Sequence, residues 1–165
     1  MASEAQLCHI KCEDIPDFSL HGIETRGKVV DIYDGDTCKI VILIGEQLQK
    51  HTCRLVGLDT PEMKPLKSKP NREKEIEAAQ QCRNKLIQLV TNCELTLETK
   101  LTKPECKKLM DSNTNIISVK CHEFDKYGRL LVSLYTPEGN CVNDILVAMG
   151  FAKNYDGGTK NVFNY

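Results

Sequence analysis

The chain has 165 residues, of which 41% are hydrophobic and 27% are charged, and its formal net charge is -1. This length and composition fit one globular domain that buries a core without the help of disulfides. The near-neutral charge excludes a basic field over the whole surface, so any nucleic-acid contact must be local or assisted by a metal ion. A basic cluster does occur at 64–74, but taken alone it is typical of a solvated loop.

The cysteines and the first residues bear on the cellular compartment. Nine cysteines without a Cys-x-x-Cys pair are typical of reduced thiols rather than of a disulfide framework or a zinc site. The first residues lack the basic start and the apolar run of a secretory signal, and no apolar segment approaches the length of a membrane span. We therefore expect an intracellular, cytoplasmic protein with no membrane partner. The sequence leaves the oligomeric state open.

Hydrophobic periodicity predicts a three-stranded meander followed by one long helix. The predicted strands span 27–33, 37–44 and 49–58. Asp34-Gly35 is a hairpin signal, because glycine takes a positive φ at no cost. The period then changes to 3.6 over 72–92, and one face of this helix carries Ile76, Ala79, Cys82, Leu86, Leu89 and Val90.

The second half of the chain predicts further strands and a second helix. Alternation over 94–99 predicts a fourth strand, and the polar segment 101–114, which contains Pro104, predicts a loop or insertion. Two more strands are predicted at 116–124 and 129–135. A short helix follows, with its apolar face on Val142, Ile145, Leu146 and Met149, and with Gly150 at its C-terminal cap.

This order of elements predicts an α+β, mainly β fold. A small, strongly bent sheet closes on itself into a five-stranded barrel of the OB type, with the long helix after strand 3 and the short helix near the C-terminus. We expect an N-terminal extension at 1–25, the barrel domain at 26–153 and a C-terminal tail at 154–165.

Three motifs carry the polar residues of greatest chemical interest. They are Asp34-Gly35-Asp36-Thr37, the segment from Arg54 to Asp59-Thr60-Pro61-Glu62, and Asp125-Lys126-Tyr127-Gly128-Arg129. Each alone is typical of a turn or a surface loop. Arg54 is the exception, because a charged residue inside an apolar strand needs a partner or a ligand. Together the motifs place carboxylates and two arginines at strand ends, which is the donor set for a divalent cation and a phosphodiester.

These motifs, followed by Val142-Asn143, Leu146-Val147 and Gly150, resemble the staphylococcal nuclease (thermonuclease) family in order and approximate spacing. The resemblance covers about 27–152. The closing segment at 155–160 is similar to the small stand-alone members of eukaryotes and large DNA viruses. The family has an OB barrel, in agreement with the strand order above.

The resemblance implies an activity and a set of site residues. It implies Ca²⁺-dependent hydrolysis of DNA and RNA, single strands preferred, to products with 3′-phosphate ends, with Mg²⁺ still open as the ion. The implied metal ligands are Asp36, Asp59 and the carbonyl of Thr60, and the implied catalytic residues are Glu62 as general base with Arg54 and Arg129 on the phosphate. The implied substrate contacts are Lys126, Tyr127 and, as a base-stacking residue, Tyr155.

The chain departs from the family pattern in three places, and two other functions stay open. A third helix after residue 152 is missing, Tyr155 is out of register with the family's aromatic residue, and 101–114 is an apparent insertion. A catalytically silent barrel that binds nucleic acid or protein is one alternative. It predicts that the acidic or arginine side chain is lost at the positions of Asp36, Glu62 or Arg129, and the sequence keeps all three. A structural protein with a calcium-stabilised loop is the other, and it leaves both arginines unexplained.

Overall fold

The computed structural model describes residues 3–165, and a closed five-stranded barrel forms its centre. The barrel strands are β1 (Glu24–Ile32), β2 (Thr37–Ile44), β3 (Gln47–Leu55), β5 (Ile117–Phe124) and β6 (Leu130–Tyr135), and β4 (Leu58–Asp59) pairs outside the barrel with β7 (Lys153–Asn154). The helices are α1 (Glu4–Leu7), α2 (Arg72–Val90), α3 (Lys103–Ser112) and α4 (Val142–Ala148).

The barrel closes through one parallel pair. Its strands follow the order β1, β2, β3, β6, β5, and β5 pairs back onto β1. All neighbours are antiparallel except β3 and β6, which run parallel with Arg54 opposite Leu131. The prediction of an α+β, mainly β protein built on a five-stranded OB-type barrel is confirmed.

Alternating side chains of the strands fill the barrel, and α2 covers one end. Ile40 and Ile42 of β2 are fully buried, as are Leu130, Val132 and Leu134 of β6. On the predicted face of α2, Ala79, Cys82, Leu86 and Val90 are buried, whereas Ile76 and Leu89 are half-buried. The long helix predicted at 72–92 is therefore confirmed.

The fourth strand predicted at 94–99 is wrong. This segment is a loop. Its carbonyl groups accept hydrogen bonds from side chains of α2 rather than from the main chain of a neighbouring strand. Asn84 Nδ2 donates to the carbonyls of Leu97 at 2.8 Å and Thr99 at 2.7 Å, and Gln88 Nε2 donates to Leu95 at 2.9 Å. The alternation of apolar residues here reflects packing on a helix, which periodicity alone does not distinguish from a strand.

The loop predicted at 101–114 is also wrong, because most of it is α3. Thr102 caps this helix and accepts the N–H of Glu105, whose carboxylate in turn accepts the N–H of Thr102. This capping box is readable in the sequence as Thr-x-x-Glu. Pro104 lies in the first turn, where proline is tolerated, so it does not break the helix.

Two finer predictions need correction. Met149 was expected on the buried face of the short helix, but it is 55% exposed, because α4 ends at Ala148 and Gly150 takes the left-handed conformation that follows it, with φ of 79°. Gly35 was expected to have a positive φ, but it does not. It is required for a different reason, since a Cβ there would overlap the sulfur of Cys82 and lie 3.0 Å from Thr60 Cγ2.

The C-terminal residues return to the middle of the chain. The strand predicted at 49–58 ends at Leu55, and a turn leads into β4, which pairs with β7. Tyr155 N–H donates to the carbonyl of Gly57 at 2.9 Å and extends this pairing. The short ribbon holds the tail beside the strand end that carries Asp59.

The cysteines and the helices complete the description. All nine cysteines are free, and Cys38, Cys53, Cys82, Cys106 and Cys121 are buried. Burial raises the pKa of the Cys53 thiol to about 12, so this group behaves as a small apolar side chain. Within residues 3–165, no helix is both long enough and apolar enough to cross a membrane.

Asn143 on α4 joins the two strands that close the barrel. It is 6% exposed, and its Nδ2 donates to the carbonyls of Val56 at 2.9 Å and Val132 at 3.1 Å. Its Oδ1 accepts the N–H of Leu134 at 3.1 Å. One amide group thus forms hydrogen bonds to three main-chain groups, and the carbonyl of Val132 also accepts the N–H of Val56 at 3.0 Å.

We expect Asn143→Ala to lower the free energy of unfolding by about 2–4 kcal/mol, because it removes three hydrogen bonds to main-chain groups in a buried setting. The measurement is urea unfolding followed by circular dichroism. Asn140→Ala is the matched control, since Asn140 is exposed and should change stability by less than about 0.5 kcal/mol. Equal effects of the two substitutions would contradict the assignment.

Candidate active site

The three motifs meet at one cleft of about 230 Å³ at the end of the barrel. Asp36 lies at the start of β2, Arg54 on β3, and Glu62 on the loop after β4. Arg129 comes from the turn between β5 and β6. Of the predicted residues, Asp36, Arg54, Thr60, Glu62 and Arg129 line the cleft.

Arg54 joins the two predicted metal-binding carboxylates. Its Nη1 donates to Asp36 Oδ2 at 2.6 Å and its Nη2 donates to Asp59 Oδ1 at 2.7 Å. Asp36 is 3% exposed and Asp59 is fully buried. Burial lowers the pKa of Arg54, but the two carboxylates outweigh it and leave the pKa above its ordinary value. The guanidinium therefore stays charged between two buried carboxyl groups.

Asp34 shapes the turn that presents Asp36. Its Oδ1 accepts the N–H groups of Asp36 at 3.1 Å and Thr37 at 2.8 Å. Gly35 lets this turn lie directly against Cys82 of α2. Burial and the nearby charge of Asp36 raise the pKa of Asp34, against the effect of the two N–H donors. The residues that line the cleft include three acids, Asp34, Asp36 and Glu62, and three cations, Arg54, Arg129 and Lys160.

Asp125 directs Arg129 into the cleft. Its Oδ2 accepts the Nε–H of Arg129 at 2.7 Å, and its Oδ1 accepts the N–H groups of Tyr127 and Arg129, both at 2.9 Å. Gly128 closes the turn with a φ of 79°, which disfavours other residues. Arg129 uses only Nε for this pair, so its two terminal nitrogens stay available for a ligand.

Glu62 is positioned from both sides. Its N–H donates to Glu75 Oε1 at 3.2 Å, and Glu75, which is 1% exposed, lies on α2 and pairs with Lys69. The side chain of Glu62 is 44% exposed, and its Oε1 accepts a hydrogen bond from Lys160. Within residues 3–165, Oε2 accepts no hydrogen bond, and Glu62 lines the cleft.

The C-terminal tail supplies groups that sequence reasoning missed. Lys160 lines the cleft, and the N–H of Asn161 donates to Asp59 Oδ2 at 3.0 Å. Burial alone would lower the pKa of Lys160. The hydrogen bond to Glu62 and the negative charge of Glu62 raise it by more, so the pKa of Lys160 lies above its ordinary value. The sequence did contain one signal of this fold-back, the pair Gly157-Gly158. Both glycines have a positive φ, of 103° and 92°, at the turn that brings Lys160 back to the cleft.

The three predicted substrate contacts lie beside the cleft. The ring centroid of Tyr155 is 5.9 Å from Arg54 Cζ, and both residues line a neighbouring hollow of about 680 Å³. Tyr127, which is 73% exposed, lies 5.5 Å from Arg129 Cζ and 5.1 Å from Lys126 Nζ. Such exposed rings next to cations are suited to stacking on a base.

The donor set of the cleft suits a hard divalent cation. Asp36 and Thr60 line the cleft, whereas Asp59 is fully buried behind it, with its oxygens accepting hydrogen bonds from Arg54 and from the N–H of Asn161. Carboxylate and carbonyl oxygens are the ligands that Ca²⁺ and Mg²⁺ prefer. Within residues 3–165, no three His, Cys, Asp or Glu side chains form a metal-binding group by themselves. A cation would therefore need water or a ligand phosphate to complete its shell.

The fold and the cleft define the chain as an OB-type barrel with an acidic, arginine-containing site at one end. The chain belongs to the staphylococcal nuclease homologue family, whose model matches residues 52–164. Proteins of this family act on nucleic acids and are typically nucleases. The matched range contains Arg54, Asp59, Glu62 and Arg129, while Asp36 lies before it. No curated protein matched the chain.

The pair between Asp125 and Arg129 predicts a pH dependence of stability. Burial raises the pKa of Asp125, but hydrogen bonds from Arg129 and Tyr127 outweigh it and hold the pKa below its ordinary value of 3.8. The ionised carboxylate thus stabilises the fold above that value, and this contribution is lost as the pH falls through the lower, folded-state pKa. Asp125→Asn should be less stable than the parent at neutral pH, with a difference that shrinks below about pH 4.

Urea unfolding from about pH 7 to about pH 3 tests this dependence. The exposed Asp17 provides the control, since Asp17→Asn removes a carboxylate that makes no hydrogen bond within the described residues. A constant difference between Asp125→Asn and the parent over the whole range would contradict the assignment.

Proposed function

We propose that this chain is a Ca²⁺-dependent nuclease that hydrolyses DNA and RNA to products with 3′-phosphate ends. The observation that carries the proposal is the bridge of Arg54 between two buried carboxylates, in a cleft that also receives Glu62 and Arg129. An ordinary turn or surface loop has no need of two buried acids and two converging arginines. A phosphodiester and a cation together would balance these charges.

The two arginines hold the phosphate. Arg129 offers both terminal nitrogens to the non-bridging oxygens, whereas Arg54, whose Nη2 already donates to Asp59 and Leu58, offers the second hydrogen of Nη1 and its Nε–H. These contacts strengthen as charge develops on a five-coordinate phosphorus. Arg54 is fixed by its two carboxylates, and Arg129 is fixed through Nε by Asp125. The phosphate thus meets donors that are already in place, which lowers the cost of ordering them.

Glu62 accepts the proton of the attacking water. Oε2 is the free oxygen of this carboxylate, because Lys160 binds Oε1 and Glu75 holds the main chain. The water oxygen bonds to phosphorus while the bond from phosphorus to the 5′ oxygen breaks. The leaving oxygen takes a proton from solvent and departs as a 5′-hydroxyl, and the phosphate stays on the 3′ end.

Asp36, Asp59 and the carbonyl of Thr60 are the residues that would hold Ca²⁺. When bound, the ion would lower the energy of negative charge on the phosphate oxygens and of the nucleophile. Asp36, Thr60, Arg54 and Glu62 all line the same cleft, which supports this assignment. Tyr155, Tyr127 and Lys126 would contact the bases and the neighbouring phosphate.

The nuclease activity predicts sharp losses in two variants. Glu62→Gln removes the proton acceptor at constant shape, and Arg129→Lys replaces a planar fork by a point charge. Each should lower the rate at least ~10²-fold, the scale of losing one preorganised catalytic group. The assay follows cleavage of single-stranded DNA, duplex DNA and RNA in Ca²⁺, in Mg²⁺ and in a chelator, with single strands cut fastest.

Matched controls separate this effect from general damage. Glu46→Gln and Arg26→Lys make the same chemical changes at exposed positions on the barrel and should leave the rate unchanged. If the parent cleaves no substrate in any metal, the chain is a binding barrel and the proposal fails. If it cleaves but Glu62→Gln cleaves equally well, the assignment of the base is wrong.

Binding of Ca²⁺ should also be visible without substrate. An ion that binds only the folded state raises stability by about 2.7 kcal/mol at 100 times its Kd. We expect Ca²⁺ to raise the thermal midpoint of the parent and of Asp17→Asn but not of Asp36→Asn, with Mg²⁺ compared at equal concentration. A Ca²⁺-induced shift that survives Asp36→Asn would place the ion elsewhere.

A further inference from the structure

A second hollow, of about 520 Å³, lies next to the catalytic cleft. Arg83 of α2, Lys103 and Cys106 of α3, and Lys64 of the loop after β4 are among the residues that line it. Tyr33 and Thr37 line both spaces and form the wall between them. We call this hollow the α3 pocket, because the inserted segment with α3 completes it.

Arg83 is a buried cation without a counter-charge. It is 6% exposed, and no carboxylate within residues 3–165 lies close enough to form an ion pair with it. Its single hydrogen bond runs from Nη2 to Asn84 Oδ1 at the long distance of 3.4 Å, and its buried Nε has no partner. Buried charges in proteins are nearly always paired, because an unpaired one costs several kcal/mol.

The neighbouring groups do not supply the missing charge. Burial raises the pKa of the Cys106 thiol more than Arg83 lowers it, so this sulfur stays protonated. Asp31 also lines the pocket, but its carboxylate pairs with Lys39 at 3.2 Å. The N-terminus of α3 plays no part, since its own capping box satisfies it.

Further cations stand at the mouth of the pocket. Lys64 and Lys103 are exposed and line it together with Lys39. The pocket therefore has a buried guanidinium inside, ammonium groups outside and one acid that is already paired. This arrangement matches a phosphate group, which binds arginine through two parallel hydrogen bonds and is attracted by lysines over a longer distance.

We propose that the α3 pocket binds a phosphate of the polynucleotide chain beyond the phosphate that is cut. The identity of the chain as substrate rests on the proposed function, whereas the anion site rests on Arg83 and its surroundings. A strand that leaves the catalytic cleft past Tyr33 and Thr37 enters the α3 pocket directly. Tyr33 is 47% exposed and presents a ring on which a base can stack between the two phosphates.

The first test is Arg83→Met, which keeps the length of the side chain and removes its charge. Binding is measured by fluorescence anisotropy in a chelator, so that no turnover occurs, with a labelled oligothymidylate of about 12 nucleotides, a length that OB folds cover. We expect binding about tenfold weaker than in the parent, the effect of one charged hydrogen-bonding group. Arg26→Met, at an exposed position on β1, is the matched control and should bind normally.

Thermal unfolding of the same variant gives an independent readout. Without ligand, Arg83→Met should unfold at a higher temperature than the parent, because an apolar residue replaces a buried, unpaired charge. A lower midpoint together with normal oligothymidylate binding would show that Arg83 serves the fold alone, and would overturn the proposal. A double variant, Lys64→Ala with Lys103→Ala, changes only exposed positions and should weaken binding with a shallower dependence on salt.

Inorganic phosphate distinguishes a substrate chain from a free anion. If phosphate stabilises the parent but not Arg83→Met, while oligothymidylate binding is equal in both, the pocket takes a free phosphate compound and the proposed chain contact is wrong. Cleavage kinetics with substrates of different length give a further test. Arg83→Met should raise KM for the long oligonucleotide about tenfold and leave the cleavage of a dinucleotide unchanged.

The two proposals can fail separately. If the parent cleaves nothing and Arg83→Met still loses oligothymidylate binding, the nuclease assignment fails and the anion site stands. If the parent cleaves and Arg83→Met has the same KM for long and short substrates, the nuclease assignment stands and the anion site fails.

Discussion

The register between β2 and β3 fixes the geometry on which the cleft depends. Arg54 lies opposite Thr37, so the guanidinium emerges beside Asp36 at the strand end, and the N–H of Leu55 donates to the carbonyl of Asp36 at 2.8 Å. Cys53 and Leu55 on either side of Arg54 are buried in the barrel. A slip of one residue would turn the charge into the core and an apolar side chain into the cleft, so the hydrophobic pattern that builds the barrel also places the arginine.

The barrel and the three motifs were readable from the sequence because both depend on local rules. Period-two alternation identifies strands that have one buried face, and the acid-rich turns stand at their ends. The segment 94–99 shows the limit of this reasoning. Its alternation is genuine, but side-chain amides of α2 bind its carbonyl groups, and no local pattern indicates a partner ten or more residues away. The error at α3 was avoidable, since the pattern Thr102-x-x-Glu105 marks its first turn.

The functional residues that the sequence did not predict, Arg83 and Lys160, acquire their roles only through tertiary contacts. Arg83 lies beside Ala79 and Leu86 at the border of the apolar face of α2, and it is buried where the α3 pocket forms. Lys160 lies in a tail without apolar periodicity, yet the ribbon of β4 and β7 returns it to Glu62. A short folded-back tail thereby occupies one wall of the cleft, and residues 153–165 contain no helix.

The parallel pairing of β3 with β6 has a consequence for the order in which the protein folds. The two strands are separated by α2, α3 and β5, and Asn143, which ties Val56 to Val132, comes later still. During synthesis on the ribosome, the first three strands must therefore wait as an open meander with exposed edges until most of the chain has emerged. The same meander contains Arg54 and Asp36, but Arg129 and Lys160 come from later segments, so the cleft is complete only after the barrel has closed.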